Sequence, residues 1–303
     1  MSSARVLVFG TGAIGGYYGA CLQRGGRDVV FVARGAGLEV LRSSGLRITG
    51  AMGDFAVAPV NATHRPSGEF DLVLLCVKNY DLDEAAGAVR ECSGLVLTLQ
   101  NGVDAPYRAR AIVGDRVIAG TTGIVDDLPE PGHVHVTSSY AWIRLGEPDG
   151  GGITGRVQRA TRWMHVDGIE PIPEGDVRIA LWQKMALMCG MAGLTTLHGK
   201  PMGEILGDAA LRKTFVQIVR ECEAVAGAKG IDLPADFAED RMRYAENIDP
   251  TAMSSMSRDF ARGKRIEVDT FNGAIVRMGA ELGLRTPRNA DVYDALRAKV
   301  AAT

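Results

Sequence analysis

A parallel α/β sheet domain followed by an all-helical domain is the fold class that the sequence predicts, and three observations carry it. The glycine pattern Gly10-Thr11-Gly12-Ala13-Ile14-Gly15 stands between a short apolar run and a helix-like segment. Strand-like and helix-like runs then alternate as far as about residue 125. Beyond PIPEGD, residues 171–176, long helical stretches take over.

The elements follow in order. ARVLVFG reads as a buried strand ending in glycine, and AIGGYYGACLQRGG as a small-residue helix closed by a glycine pair. DVVFVAR is a second strand, and FDLVLLCVK (70–78), GLVLTLQNG (94–102) and RVIAGTTGIV (116–125) are further strands, with helix-like runs at 83–92 and 105–114 between them. Parallel strands need crossover connections, so this alternation predicts a parallel sheet with helices on both faces. GHVHVTSSYAWIRLG, residues 132–146, reads instead as a hairpin or edge-strand region. Long helices are expected at 178–197 and 211–230, and a last pair at about 254–283 and from 290 to the end, separated by GLRTPRN. The expected division is a dinucleotide-binding domain over residues 1–172 and a helical domain for substrate binding and dimerisation over 173–303.

Composition narrows the function. With 46% hydrophobic and 23% charged residues the chain is ordinary globular material, and a formal net charge of -2 supplies no cationic field to gather nucleic acid or an anionic membrane. No run of 18 apolar residues suggests a membrane span. The five cysteines, Cys21, Cys76, Cys92, Cys189 and Cys222, are odd in number and form no CxxC pair, which fits a reducing, cytoplasmic setting and small-molecule partners.

The glycine pattern carries the first piece of chemistry. The first glycine permits a tight turn, the second lets the backbone approach a pyrophosphate, and the third lets the helix pack on the sheet. The helix N-terminus, at Ala13 and Ile14, then offers N–H groups to phosphate. This is the signature of a Rossmann-type domain. Sites for NAD place an Asp or Glu at the end of the second strand, whereas DVVFVAR ends in Arg34, a residue suited to the 2′-phosphate of NADP. Lys78 and Asn101 stand at the carboxyl ends of the next strands, where an open α/β sheet lines its ligand crevice. Taken alone, Asn101-Gly102 is a turn signal and Lys78 a solvated lysine.

In the second half, Lys184 lies in the apolar run RIALWQKMALMCG, where desolvation would suit it to donate a proton, although a snorkelling lysine fits the same pattern. Glu267, amid Lys264, Arg265 and Asp269, reads by itself as an ordinary solvated charge. His133 and His135 share one strand face at a two-ligand spacing, but no third ligand is near in sequence and no metal is expected.

Together these stretches resemble the ketopantoate reductase (2-dehydropantoate 2-reductase) family. The matching runs are GTGAIGGYYGACL, CVKNYD, LQNGVD, GTTG, LWQKMAL, GEIL and SSMSRDFARGKRIEVDTFNGAIVRMGAELGLRTPRN, which extend over nearly the whole chain. The resemblance implies NADPH-dependent reduction of a 2-oxo acid to a 2-hydroxy acid, a place in pantothenate biosynthesis, and a substrate held between a Rossmann domain and a helical domain. By position it implies Lys184 as proton donor, Glu267 as a glutamate near both the lysine and the cofactor, and Asn101 as a contact of both ligands. It further implies Ser255 against the substrate carboxylate and Arg34 and Lys78 as cofactor contacts.

The departures concern the substrate. Where the family usually carries asparagine, this chain has Met188, Ala192, Met202 and Ala252. The alternatives are therefore a family member reducing a less polar 2-oxo acid or ketone, and a non-catalytic NADPH-binding regulatory protein on the same fold.

Overall fold

The computed structural model describes residues 3–302 and divides into two compact units, one made of the residues up to 100 with 104–177, the other of 101–103 with the residues from 178 onward. In the first unit, β1 (Arg5–Phe9), α1 (Ala13–Arg24) and β2 (Asp28–Val32) are followed by α2 (Gly35–Ser44) and the short strands β3 (Leu46–Gly50), β4 (Phe55–Val57) and β5 (Asn61–Thr63). Next come β6 (Leu72–Leu75), α3 (Leu82–Ala88), β7 (Leu95–Thr98), α4 (Ala105–Val113) and β8 (Val117–Gly123). β9 (Asp126–Glu130), β10 (His133–Val136), β11 (Trp142–Gly146), α5 (Gly155–Met164) and β12 (Glu170–Pro173) complete it.

The main sheet runs β12-β11-β8-β7-β6-β1-β2-β5. From β5 to β8 all neighbours are parallel, in the 3-2-1-4-5-6 order of the doubly wound dinucleotide fold. Alternating residues of β1 serve opposite faces. Val6 and Val8 join α1 and the second sheet in one core, while Leu7 and Phe9 join α3 and α4 in another. Each such fully buried aliphatic side chain contributes about 1.5–3 kcal/mol.

The second sheet, β4-β3-β10-β9, covers α1 on the side away from the main sheet, and its first two strands arise from residues 46–57, which the sequence patterns left unassigned. It also corrects the hairpin or edge-strand region expected over residues 132–146, since β10 and β11 each lie inside a sheet and in different sheets. β10 pairs parallel with β3, whereas β11 pairs antiparallel with β8 in the main sheet. Ser138 turns the chain between them, its Oγ accepting from Val125 N at 2.9 Å and donating to Tyr140 O at 2.8 Å.

The second unit contains only helices among its described residues: most of α6 (Val177–His198), then α7 (Met202–Gly207), α8 (Ala209–Ala228), α9 (Phe237–Glu246), α10 (Ser255–Ala261), α11 (Asn272–Glu281) and α12 (Pro287–Ala301). The helix expected over 254–283 is in fact two. Gly263, with φ of +65°, ends the first, and eight residues without helix precede the second. α12 starts at Pro287, a residue pre-organised for a first helical position, and Glu221 accepts from the Arg288 and Asn289 amides at 2.8 and 2.9 Å. No helix among the described residues is long and apolar enough to cross a membrane.

Candidate active site

The glycine loop after β1 shows three separate physical reasons for its glycines. Gly10 has φ of +97°, and a Cβ there would stand 2.9 Å from Val77 N. A Cβ on Gly15 would fall 2.1 Å from Gly10 O and 3.0 Å from Cys76 Cβ, so this glycine lets α1 lie against the end of the sheet. A Cβ on Gly12, by contrast, would meet nothing within 4 Å. Gly12 is also the N-cap of α1 and no side chain caps that helix. Open space before an uncapped helix start is where a pyrophosphate fits, since its oxygens would accept from the amides of Ala13 and Ile14. Thr11 anchors the loop, its Oγ1 donating to Val32 O at 3.1 Å.

Arg34 and Lys78 are placed at the carboxyl ends of β2 and β6, the two strands that flank β1 in the main sheet. Arg34 follows β2, is exposed, and forms an ion pair with Glu84 of α3 at 2.8 Å. Lys78 follows β6 and is half-buried. The loop that carries it is pinned by Asn79, 1% exposed, whose Oδ1 and main-chain O accept from Arg108 at 2.8 and 3.2 Å. Gln100, which the sequence patterns did not single out, ties the ends of β6 and β7 together: its Nε2 donates to Leu75 O at 2.8 Å and Val77 O at 3.1 Å. Asn101 is the next residue and is half-buried.

In the helical unit, α6 is the frame. Between Leu181 and Thr196 the residues of α6 that are not buried are Gln183, Lys184, Met188 and Met191. At 100° per residue Lys184, Met188, Met191 and Thr195 form one stripe. The opposite side carries Gly190 and Gly193, where a Cβ would collide with Phe215 at 2.6 Å and with Asn272 and Val292 at 2.8 and 2.9 Å. Small residues thus let α8, α11 and α12 close on one side of α6, and Lys184, Met188 and Met191 are the part of the stripe left accessible, with Thr195 buried at its end. Met191 was missed in the sequence because its role appears only when the helix phase is combined with burial.

Glu267 stands in the non-helical segment between α10 and α11 and is 4% exposed. Its reading as a solvated charge is therefore overturned: buried carboxylates are retained only where charge or hydrogen bonding compensates them. Ser255 is half-buried at the first position of α10. Of the four positions where asparagine was expected, Met188 and Ala252 are half-buried, whereas Ala192 and Met202 have 0% and 1% exposure and belong to the core. Met202 N donates to Ala252 O at 3.0 Å, so those two are neighbours.

His133 and His135 are joined through Thr49, whose Oγ1 lies 2.8 Å from His133 Nε2 and 3.0 Å from His135 Nδ1, while Arg47 donates to His133 Nδ1 at 2.9 Å. Both ring nitrogens of His133 are thereby used within the protein. No three metal-ligating side chains gather among the described residues.

Comparison with known proteins extends this geometry. Residues 6–150 match the family described as "Ketopantoate reductase PanE/ApbA", and residues 176–300 match its C-terminal domain. The 2-dehydropantoate 2-reductase of Archaeoglobus fulgidus is 31% identical over 298 residues, which are 98% of each chain. The uncharacterized oxidoreductase YkpB of Bacillus subtilis is 28% identical, over 95% of this chain and 96% of its own. The crystal structure of a PanE/ApbA family ketopantoate reductase from Ralstonia eutropha superposes with a TM-score of 0.89 at 32% identity, covering 97% of both chains. With a dinucleotide-type glycine loop, a lysine on the accessible stripe of α6 and matches along both units, the chain belongs to the ketopantoate reductase family and is an oxidoreductase of the 2-oxo acid and 2-hydroxy acid pair.

Proposed function

We propose that the chain uses NADPH to reduce a 2-oxo acid less polar than ketopantoate, with Lys184 as proton donor. The observation that carries this reading is the α6 stripe, where Lys184 lies one and two turns before Met188 and Met191 on the same partly accessible side of a helix that is buried on its other sides except at Gln183 between Leu181 and Thr196. NADPH, when bound, supplies the hydride for the carbonyl carbon. Gly10 to Gly15 bind its pyrophosphate, Arg34 its 2′-phosphate, and Lys78 and Asn101 complete the cofactor contacts. Lys184 stabilises the negative charge that develops on the carbonyl oxygen and gives it a proton. Glu267, from its buried position, orients the ammonium and balances its charge. Ser255 receives the substrate carboxylate, and Asn101 also faces the substrate.

Met188, in place of an expected asparagine, and Met191 one turn on offer a soft apolar lining. A primary hydroxyl set against them without water would lose its partners, at a cost of roughly 1–3 kcal/mol.

The test is NADPH oxidation with a panel of 2-oxo acids, run on the wild type and Lys184→Ala. The expected result is turnover with at least one apolar 2-oxo acid, a loss of about 100-fold or more in Lys184→Ala, and unchanged NADPH affinity. Wild-type turnover in that variant would remove the lysine from the mechanism, and silence across the panel would favour a regulatory NADPH-binding protein.

A further inference from the structure

The Lys184 stripe ends in a hydroxyl that the reaction does not use. Thr195 is fully buried, and its Oγ1 lies 2.7 Å from Met191 O and 2.9 Å from Ser254 Oγ, itself 2% exposed. The proton positions follow from the partners. A carbonyl only accepts, so the Thr195 hydroxyl donates to Met191 O and must accept from Ser254. Ser254 Oγ in turn accepts from Ser257 N at 3.0 Å, which makes it the N-cap of α10. Ser257 Oγ donates to Thr195 O at 3.4 Å and closes the arrangement.

Each bond has an ordinary counterpart, since threonines often bond back along a helix and serines often cap one. Here the capping serine and the helix threonine bond each other. The start of α10 is thus tied to α6 by a buried, directed chain of hydrogen bonds, and the residue after the cap is Ser255.

The geometry points to Thr195 as a positioning residue: through Ser254 it fixes Ser255, and with it the substrate carboxylate, relative to Lys184 on the same helix. This rests on the reading of Ser255 as the carboxylate contact. Because Lys184 and Thr195 share one helix, whatever holds Ser254 to Thr195 sets the spacing between the proton donor and the carboxylate.

The experiment compares Thr195→Val, Thr195→Ser, Ser254→Ala and Ser255→Ala, with melting temperature recorded for each. Three quantities are read: KM and kcat for the best 2-oxo acid of the panel, calorimetric affinity for its 2-hydroxy acid product, and NADPH affinity. Thr195→Val is expected to raise KM and weaken product binding by about fivefold, the scale of one lost hydrogen bond. NADPH affinity should not move and kcat should stay within about twofold. Thr195→Ser should restore wild-type values. Ser254→Ala, which breaks the same bond from the other side, leaves Thr195 bonded to Met191 and also removes the cap of α10, should raise KM at least as much, and the double variant should be no worse than Ser254→Ala alone. The amide of the same 2-oxo acid, which lacks the carboxylate charge, should respond little to Thr195→Val. An unchanged KM in both Thr195→Val and Ser254→Ala beside a raised KM in Ser255→Ala overturns the positioning role alone. An unchanged KM in Ser255→Ala overturns the assignment of that serine and the proposal with it. Failure of Thr195→Ser to restore KM, or an equal loss in NADPH affinity, would show a general packing role and contradict it.

Discussion

Arg34 Nη2 stands 2.8 Å from Glu84 Oε1, which joins the carboxyl end of β2 to the first turn of α3. In the sheet β1 lies between β2 and β6, and α3 follows β6, so this pair links the two strands on either side of the glycine loop. Both side chains are about two-thirds exposed, and an exposed pair of this kind is worth no more than about 1 kcal/mol. A 2′-phosphate that meets Arg34 has only this weak partner to displace.

Arg34→Ala is therefore expected to lower the ratio of NADPH to NADH affinity by about 1.5–3 kcal/mol, the worth of a hydrogen bond to a charged group. Glu84→Gln should raise NADPH affinity by about fivefold at most and leave NADH alone. Fluorescence titration of both cofactors measures this, and an unchanged ratio in Arg34→Ala would show that the 2′-phosphate is read elsewhere.

Two glycines of one loop should fail in opposite ways. Gly15→Ala brings its Cβ 2.1 Å from Gly10 O and should cost about 1–3 kcal/mol of stability. Gly12→Ala meets no protein atom within 4 Å, so its melting temperature should stay near wild type while NADPH affinity falls at least tenfold. NADPH binding at wild-type strength in Gly12→Ala would move the pyrophosphate away from this helix start.

Much of the candidate site could be proposed from the sequence because its signals are local. The glycine spacing, Arg34 at a strand end and Lys184 in an apolar helix are each read within a dozen residues. What escaped is what depends on long-range pairing. Residues 46–57 make two short strands that pair with each other, and the strand that joins β3 to the rest of its sheet, β10, lies some 80 residues on; β10 and β11 look like a hairpin until their separate partners β3 and β8 are known. Glu267 is surrounded by charges in sequence but enclosed in space, and no pattern of neighbours reveals that. Met191 and Thr195 needed the helix phase and the burial of the other faces together.

Acid should weaken the first unit through Glu147. This carboxylate is 8% exposed and accepts from Arg156 Nε at 2.8 Å and from the Thr154 hydroxyl. The Arg156 hydrogen bonds, against burial, hold its carboxyl below the ordinary value of 4.5. A carboxyl lowered in the folded state stabilises fully above the unfolded value, and that contribution is lost as pH falls through the folded one. Glu147→Gln should cost about 1.5–3 kcal/mol at neutral pH, with the gap closing in increasingly acid solution. Urea melts across that range decide it, and a gap independent of pH would refute the assignment.

The central claim, a reductase whose accessible α6 stripe favours an apolar substrate, is tested most directly by kcat/KM for ketopantoate against the analogue in which its hydroxyl is replaced by hydrogen or methyl. With purified protein and NADPH, Met188 and Met191 predict that the analogue is reduced with a kcat/KM equal to or better than that of ketopantoate. Should ketopantoate win by tenfold or more, about 1.4 kcal/mol of transition-state preference, a polar group elsewhere must serve its hydroxyl and the apolar reading of the pocket is contradicted.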